Sequence, residues 1–247
     1  MIKRIFDLIA SSFALVLLSP FLIIISFLIF VQDFHNPFYV SKRIGINGKE
    51  FSFFKFRSMK INADKSGVDS TSNKDPRITG IGRFIRKYKI DELSQLFNVF
   101  LGSMSLVGPR PNVKRDTDLY TSLEKDLFLA KPGITDFSSI VFADEGDILE
   151  GHLDPDLAYN QLIRPWKSRL GLIYIEKQSL ILDVKLIFLT ILSLVSREKA
   201  LDRMCKVLES LDAPEDVIIA SSRKNAFRPY PPPGSESIVM SRDTETL

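Results

Sequence analysis

The chain has 247 residues, 45% of them apolar, with a formal charge of +3 and a single cysteine. That length allows one catalytic domain and an anchor but not two full domains with separate cores. Cys205 alone excludes an intrachain disulfide, and two histidines with no Cys/His cluster argue against a zinc site.

From Leu8 to Val31 the chain is interrupted only by serines and Pro20. As a helix these residues would reach roughly 36 Å, enough for a hydrocarbon core of about 30 Å. The stretch is too long for a secretory signal, and Val31-Gln32-Asp33 offers no small-residue cleavage site. Pro20 removes a backbone donor and frees the carbonyl of Val16, which predicts a kink; the hydroxyl of Ser19 could help satisfy the freed group. Lys3 and Arg4 precede the segment and Lys42, Arg43, Lys49 and Lys55 follow it, so the flanks show no charge asymmetry. A kinked span and a dip-and-return are both open on these grounds. In either case the basic remainder should face the cytosol.

Residues 36–60 suggest a β-hairpin or loop, with the turn signal Asn47-Gly48, leading into the aromatic and basic run Phe51 to Arg57. Residues 61–76 are polar and turn-rich, which predicts a mobile loop. Helical patterning covers Gly80 to Tyr88 and Asp91 to Leu101. The segment Ser105 to Pro111 is too proline-rich for helix. Residues 113–130 predict a further helix, ended by Lys131-Pro132-Gly133. Residues 155–178 predict an amphipathic helix with Trp166 and Tyr174 as interfacial anchors. Leu180 to Val195 is short for a span and carries Asp183 and Lys185, so an interfacial or buried helix is expected. Residues 200–211 predict a last amphipathic helix. From about Ala213 a loose, extended or disordered tail is expected.

The chemistry concentrates at Asp91 and Glu92. Four cations, Arg83, Arg86, Lys87 and Lys89, lie in the eight residues before Asp91. They would keep a carboxylate ionised and attract phosphate. An ionised Asp near a helix N-terminus can attack phosphorus and hold a covalent intermediate. A plain N-cap explains the same residues, since Asp and Glu are common at helix starts.

Several motifs together resemble the bacterial sugar transferases of the monotopic phosphoglycosyl transferase superfamily. They are Lys3 to Asp7, Ser19-Pro20, Lys55 to Met59, Asp75 to Thr79, Gly82 to Arg86, Asp91 to Val99, Gly102 to Pro111, Lys131 to Thr135 and Ser179 to Asp183. The resemblance covers roughly residues 1–195, and its specificity lies in the order and spacing of the motifs. It implies a mainly α fold with little β: a re-entrant membrane helix over 1–35 turned by Ser19 and Pro20, interfacial amphipathic helices, and a small cytosolic catalytic domain over 36–200. Residues 201–247 would be a C-terminal helix and flexible tail.

The implied reaction transfers a phosphosugar from a UDP-sugar to polyprenol (undecaprenyl) phosphate, giving polyprenyl-diphospho-sugar and UMP. That is the first membrane step of glycoconjugate or polysaccharide assembly. In this family-based reading Asp91 is the nucleophile, and Asp91 and Glu92 hold Mg²⁺. Lys55, Arg86 and Arg110 surround the phosphates, as cations suited to such contacts. Lys131 to Thr135 would supply either backbone donors for an anion or a plain turn. Expected partners are the UDP-sugar, the polyprenol phosphate and membrane lipids, not nucleic acid; a homodimer is compatible. The expected location is the bacterial cytoplasmic membrane.

Many family members continue after Thr135 with Gly-Trp, where this chain has Asp136-Phe137 and then acidic Asp144-Glu145-Gly146-Asp147. Gly171 also falls where many members carry Asp, which leaves the sugar open. The alternatives are a catalytically silent membrane scaffold for a glycan assembly complex, and a single-span protein with different phosphoryl chemistry.

Overall fold

A computed structural model describes residues 2–63, 71 and 75–241. The expectation of a mobile loop over 61–76 falls mostly outside the described residues. The fold is mainly helical with little strand, and one helix is long and apolar enough to cross a membrane.

That helix, α1 (Ile2–Asp33), contains Pro20. The Ser19 Oγ donates to the Val16 carbonyl at 2.8 Å, so the group that proline leaves without its helical donor has a partner. The two ends of α1 are anchored differently. At its start Arg4 donates to the carbonyls of Val99 and Phe100, and the Asp7 carboxylate accepts the Leu106 N–H at 3.0 Å. Lys3 pairs with buried Asp183, which also accepts the Tyr174 hydroxyl at 2.6 Å. Farther along, Leu22, Ile25 and Ile29 repeat at helical spacing and are buried with Phe56, Ile85 and Ile90. The opposite side leaves Ile9, Phe13, Val16, Ile24 and Phe27 exposed.

Strands β1 (Phe38–Ile44) and β2 (Glu50–Phe56) form an antiparallel hairpin, in register from Phe38 opposite Phe56 to Ile44 opposite Glu50. Its turn has Asn47 and Gly48 in the left-handed region, at φ 56° and 70°, as the Asn-Gly signal predicts. Helix α2 (Gly80–Lys87) begins where Thr79 Oγ1 accepts the Gly82 N–H at 2.9 Å. A single 3₁₀ turn, Ile90–Glu92, separates it from α3 (Gln95–Leu101). Asn98 ties α3 to the hairpin: its side chain accepts the Phe54 N–H at 2.9 Å and donates to the Ser52 carbonyl at 2.6 Å.

Strands β3 (Ser105–Val107) and β4 (Gly133–Thr135) pair in parallel, Ser105 beside Gly133 and Val107 beside Thr135. The backbones beyond the ladder touch. A Cβ on Gly133 would lie 2.1 Å from the Gly108 nitrogen, and one on Gly108 would lie 2.2 Å from the Lys131 carbonyl oxygen. The Gly133 N–H donates to the Pro109 carbonyl at 3.1 Å, so this glycine seats the residue before Arg110. Gly133→Ala is expected to cost about 3 kcal/mol by forcing backbones apart, and to lower activity beyond the stability loss because Arg110 moves with them. Thermal melting and turnover at a temperature where the variant stays folded check both effects.

The expected helix over 113–130 is instead α4 (Lys114–Thr117) followed by a 3₁₀ segment, Glu124–Leu129. A reciprocal cap restarts the chain there. Thr121 Oγ1 accepts the Glu124 N–H at 3.1 Å, and the Glu124 carboxylate accepts the Thr121 N–H at 3.0 Å.

Short helices α5 (Phe137–Val141), α6 (Glu145–Ile148) and α7 (Pro155–Ala158) come next. A π-helical turn, Tyr159–Ile163, leads into α8 (Arg164–Lys177). Trp166 and Tyr174 are not interfacial anchors: they are 8% and 1% exposed, inside the main core. Trp166 is covered by the ring of Tyr230, 4.4 Å away, and Tyr174 is held by Asp183 and the Val107 carbonyl.

Helix α9 (Leu180–Val195) buries Leu182, Leu186 and Leu189 while Ile181, Val184, Phe188 and Ile191 stay exposed. It is apolar on both sides and only one faces protein. Helices α10 (Arg197–Ser210) and α11 (Glu215–Ser222) share the core with α8 and α9 through Ala200, Met204, Leu208 and Val217. The loose tail expected from about Ala213 instead begins with α11, and the segment after that helix is extended but packed. Phe227 stacks on Phe142, Tyr230 on Trp166, and the Pro231 and Pro233 carbonyls accept from Arg169 and Thr121. Rings spaced along a proline-rich strand gave this segment apolar contacts that its polar composition conceals.

Candidate active site

The turn carrying Asp91 and Glu92 is fixed from both sides. Ile90 is buried against α1, and Lys89, just before it, adopts left-handed φ 53° and ψ 24°. The Glu92 and Leu93 amides bond back to Lys89 and Ile90. Asp91 is therefore not the start of a helix running to Leu101. Ser94 precedes α3, and neither end residue caps through its side chain. The Asp91 carboxylate, 3% exposed, is instead 2.9 Å from Lys55 Nζ. Lys55 projects from β2, which Asn98 locks to α3, and lies 3.9 Å from Glu92 as well.

Arg110 meets Glu92 with both terminal nitrogens, Nη1 to Oε2 at 3.2 Å and Nη2 to Oε1. Burial alone would raise the Glu92 pKa; the charges of Arg110 and Lys55 overcome it, so the carboxyl titrates far below its usual range. Glu92 in turn holds the Arg110 guanidinium firmly protonated. Beyond this pair, Lys167 pairs with Glu145, whose carboxyl is kept low against burial by that lysine. A small cavity beside Arg110 is lined by Asn112, Leu127, Asp136, Tyr159 and Lys167.

Of the expected site residues, Lys55, Asp91, Glu92 and Arg110 form one connected group. Arg86 lies apart: it reaches Ser58 Oγ at 3.5 Å and faces Asp75. Ser19 and Pro20 sit within α1, away from the carboxylates. In Lys131 to Thr135, the Gly133 amide goes to Pro109 and the segment forms a strand, which favours a structural turn over an anion cradle. Sequence reasoning missed Lys89, Asn98 and Lys167. Lys89 looked like one more member of a basic run, and the other two carry no local signal.

A divalent cation such as Mg²⁺ commonly takes one or two carboxylates and completes its shell with water and phosphate oxygens. Adjacent Asp91 and Glu92 fit that sparse donor set. Among the described residues no group of three or more His, Cys, Asp or Glu forms a ready metal cage.

A carboxylate pair set among paired cations, in a chain whose first helix is long and apolar enough to cross a membrane, is compatible with phosphate chemistry. The family comparison gives it a place: the model for bacterial sugar transferases matches residues 1–197, and the chain belongs to that family. One relative is a UDP-glucose:undecaprenyl-phosphate glucose-1-phosphate transferase of Klebsiella pneumoniae, 36% identical over 193 residues. That alignment covers 76% of this chain and 39% of the relative. An undecaprenyl-phosphate glucose phosphotransferase of Komagataeibacter xylinus is 38% identical over 196 residues, 76% of this chain and 35% of its own. A putative undecaprenyl-phosphate N-acetylgalactosaminyl 1-phosphate transferase of Bacillus subtilis is 46% identical over 110 residues, 44% of this chain and 62% of its own. The chain thus spans well under half the length of the first two.

Proposed function

We propose that the protein transfers a sugar phosphate from a nucleotide diphosphosugar, of the UDP-sugar class, to polyprenol phosphate through a covalent Asp91 intermediate. The observation that carries this reading is the Asp91 carboxylate. It caps nothing, is almost fully buried, and has Lys55 at 2.9 Å and the Glu92–Arg110 pair beside it. Family membership supports it, as do the relatives' names, which pair an undecaprenyl-phosphate acceptor with glucose or N-acetylgalactosamine phosphate.

An Asp91 oxygen attacks the phosphorus that bears the sugar. The bond from that phosphorus to the bridging oxygen breaks, and nucleoside monophosphate leaves with the electron pair. The acceptor phosphate oxygen then attacks the same phosphorus, and Asp91 departs as carboxylate. No proton need move in either step. Lys55 aligns Asp91 and offsets charge gathering on the equatorial oxygens. Arg110 fixes Glu92 and presents its remaining edge to phosphate. Mg²⁺, held by Asp91 and Glu92, would supply further neutralisation of the diphosphate.

The exposed apolar faces of α1 and α9, which suit lipid better than water, support a membrane location. Both ends of α1 bond to the same domain, Lys3 through Asp183 and Asp33 through a two-pronged pair with Arg57. That supports a helix that returns to the side it entered, in a cytoplasmic membrane with the domain in the cytosol. With Cys205 replaced by Ser, cysteines placed at Ile2 and at His35 are expected to label from the same face. Labelling from opposite faces would make α1 a span.

The reaction is tested by UMP release from a panel of UDP-sugars with purified full chain and Mg²⁺, with and without polyprenol phosphate. Carrier-dependent release from one donor supports transfer and names the sugar. No release from any donor, beside an active control, would favour the silent scaffold.

A further inference from the structure

We propose that Lys89 is a donor-diphosphate-binding residue, exchanging its bond to the Ser139 carbonyl for a phosphate oxygen. This rests on the reading above, because it assigns a further residue to the same site.

Around the two carboxylates the cations are nearly all spoken for. Lys55 pairs with Asp91, Arg110 with Glu92, and Lys167 with Glu145. Lys89 stands among these groups, acted on by Glu92, Arg110, Lys167 and Glu145. Among the described residues its ammonium has one hydrogen bond, to a neutral acceptor, Ser139 O at 3.1 Å, and forms no ion pair. A partly buried ammonium held by a carbonyl alone is poorly compensated, and an incoming phosphate would supply the missing anion.

The backbone gives a second, independent indication. Lys89 sits at φ 53°, a conformation that glycine or asparagine adopts far more readily than lysine. If position 89 served only to reverse the chain between α2 and the Asp91 turn, a residue without a long side chain would serve better. A strained lysine set among several charged side chains fits a side chain kept for its charge. The carbonyl it now holds belongs to α5, the helix that Asp136 caps.

The test uses the full chain in detergent with Mg²⁺ and measures equilibrium affinity for UDP and for UMP. Lys89→Gly removes the charge and relaxes the backbone, so melting should be unchanged or raised. UDP affinity should fall about tenfold or more, as expected for a lost charged hydrogen bond, and UMP affinity should fall less. Lys89→Arg should stay within about threefold of the parent for UDP. A Lys89→Gly protein that binds UDP within that range, an arginine variant as weak as the glycine one, or a parent chain that does not bind UDP each overturns the proposal. A plain strut to Ser139 predicts a lower melting temperature with no UDP-over-UMP bias. Lys89-dependent UDP binding without UMP release from any donor would sink the transfer reaction and leave this assignment standing.

Discussion

Asp91→Asn is expected to lower sugar-phosphate transfer by about a thousandfold or more, since an amide cannot form the acyl-phosphate bond. Folding and membrane association should survive. Asn is isosteric, and Asp91 holds neither a helix cap nor the α1 contacts; its bonding partner is Lys55, which is part-exposed and can turn to solvent. The measurements are single-turnover UMP release and mass analysis of the parent enzyme quenched with donor alone. Residual transfer near one tenth of the parent rate would remove Asp91 as nucleophile.

The second large effect concerns stability. Glu124 and Arg164 are 0% and 1% exposed, and their ion pair is fully enclosed. Glu124 also accepts Ser168 Oγ at 2.7 Å and the Thr121 amide, while Arg164 donates to Asn160 Oδ1 at 3.0 Å and to the Leu119 carbonyl. Every polar edge of the pair is used. Arg164→Met should therefore cost about 3–5 kcal/mol by leaving Glu124 buried without its cation. Glu124→Met should cost a similar amount. The double substitution should be less damaging than the sum, because no lone charge remains. Thermal or denaturant melting of the three variants decides it; losses below about 1 kcal/mol for the single changes would mean that water reaches the pair.

Much of the site could be read from residue order. Asp91, Glu92, Lys55 and Arg110 were chosen for their chemistry and their motifs, and the fold brings all four together. The hairpin followed from Asn47-Gly48, because few residue pairs take two successive left-handed conformations. The Ser19 hydroxyl found the Val16 carbonyl because both are local to Pro20. What sequence missed was decided at long range. Trp166 and Tyr174 sit on a helix that looks amphipathic, but Tyr230 covers the first ring and the Val107 carbonyl, 67 positions back, accepts from the second. Asn98 matters because a hairpin 44 residues earlier offers it a backbone amide. The break at Thr121 was legible in principle, as Thr-x-x-Glu before an apolar run, but the periodicity around it read as one helix.

The first turn of α1 bears on how the molecule is made. Lys3 finds Asp183 across 180 positions of chain, and Asp7 finds Leu106 across 99. At roughly 5–20 residues per second of synthesis, Lys3 waits about 10–40 s for its partner. Through that interval the charged foot of α1 lacks the partner of Lys3, and on the membrane reading proposed above the cost of carrying charge inward keeps it shallow. Helix and domain thus check one another: Val99 and Leu106 hold Arg4 and Asp7, Lys3 is matched only once α9 has been made, and a core lacking the helix keeps a buried aspartate with no cation. A chain cut after α1 would inherit that defect, so the rest of the fold should lose stability without its first helix unless Asp183 is also replaced.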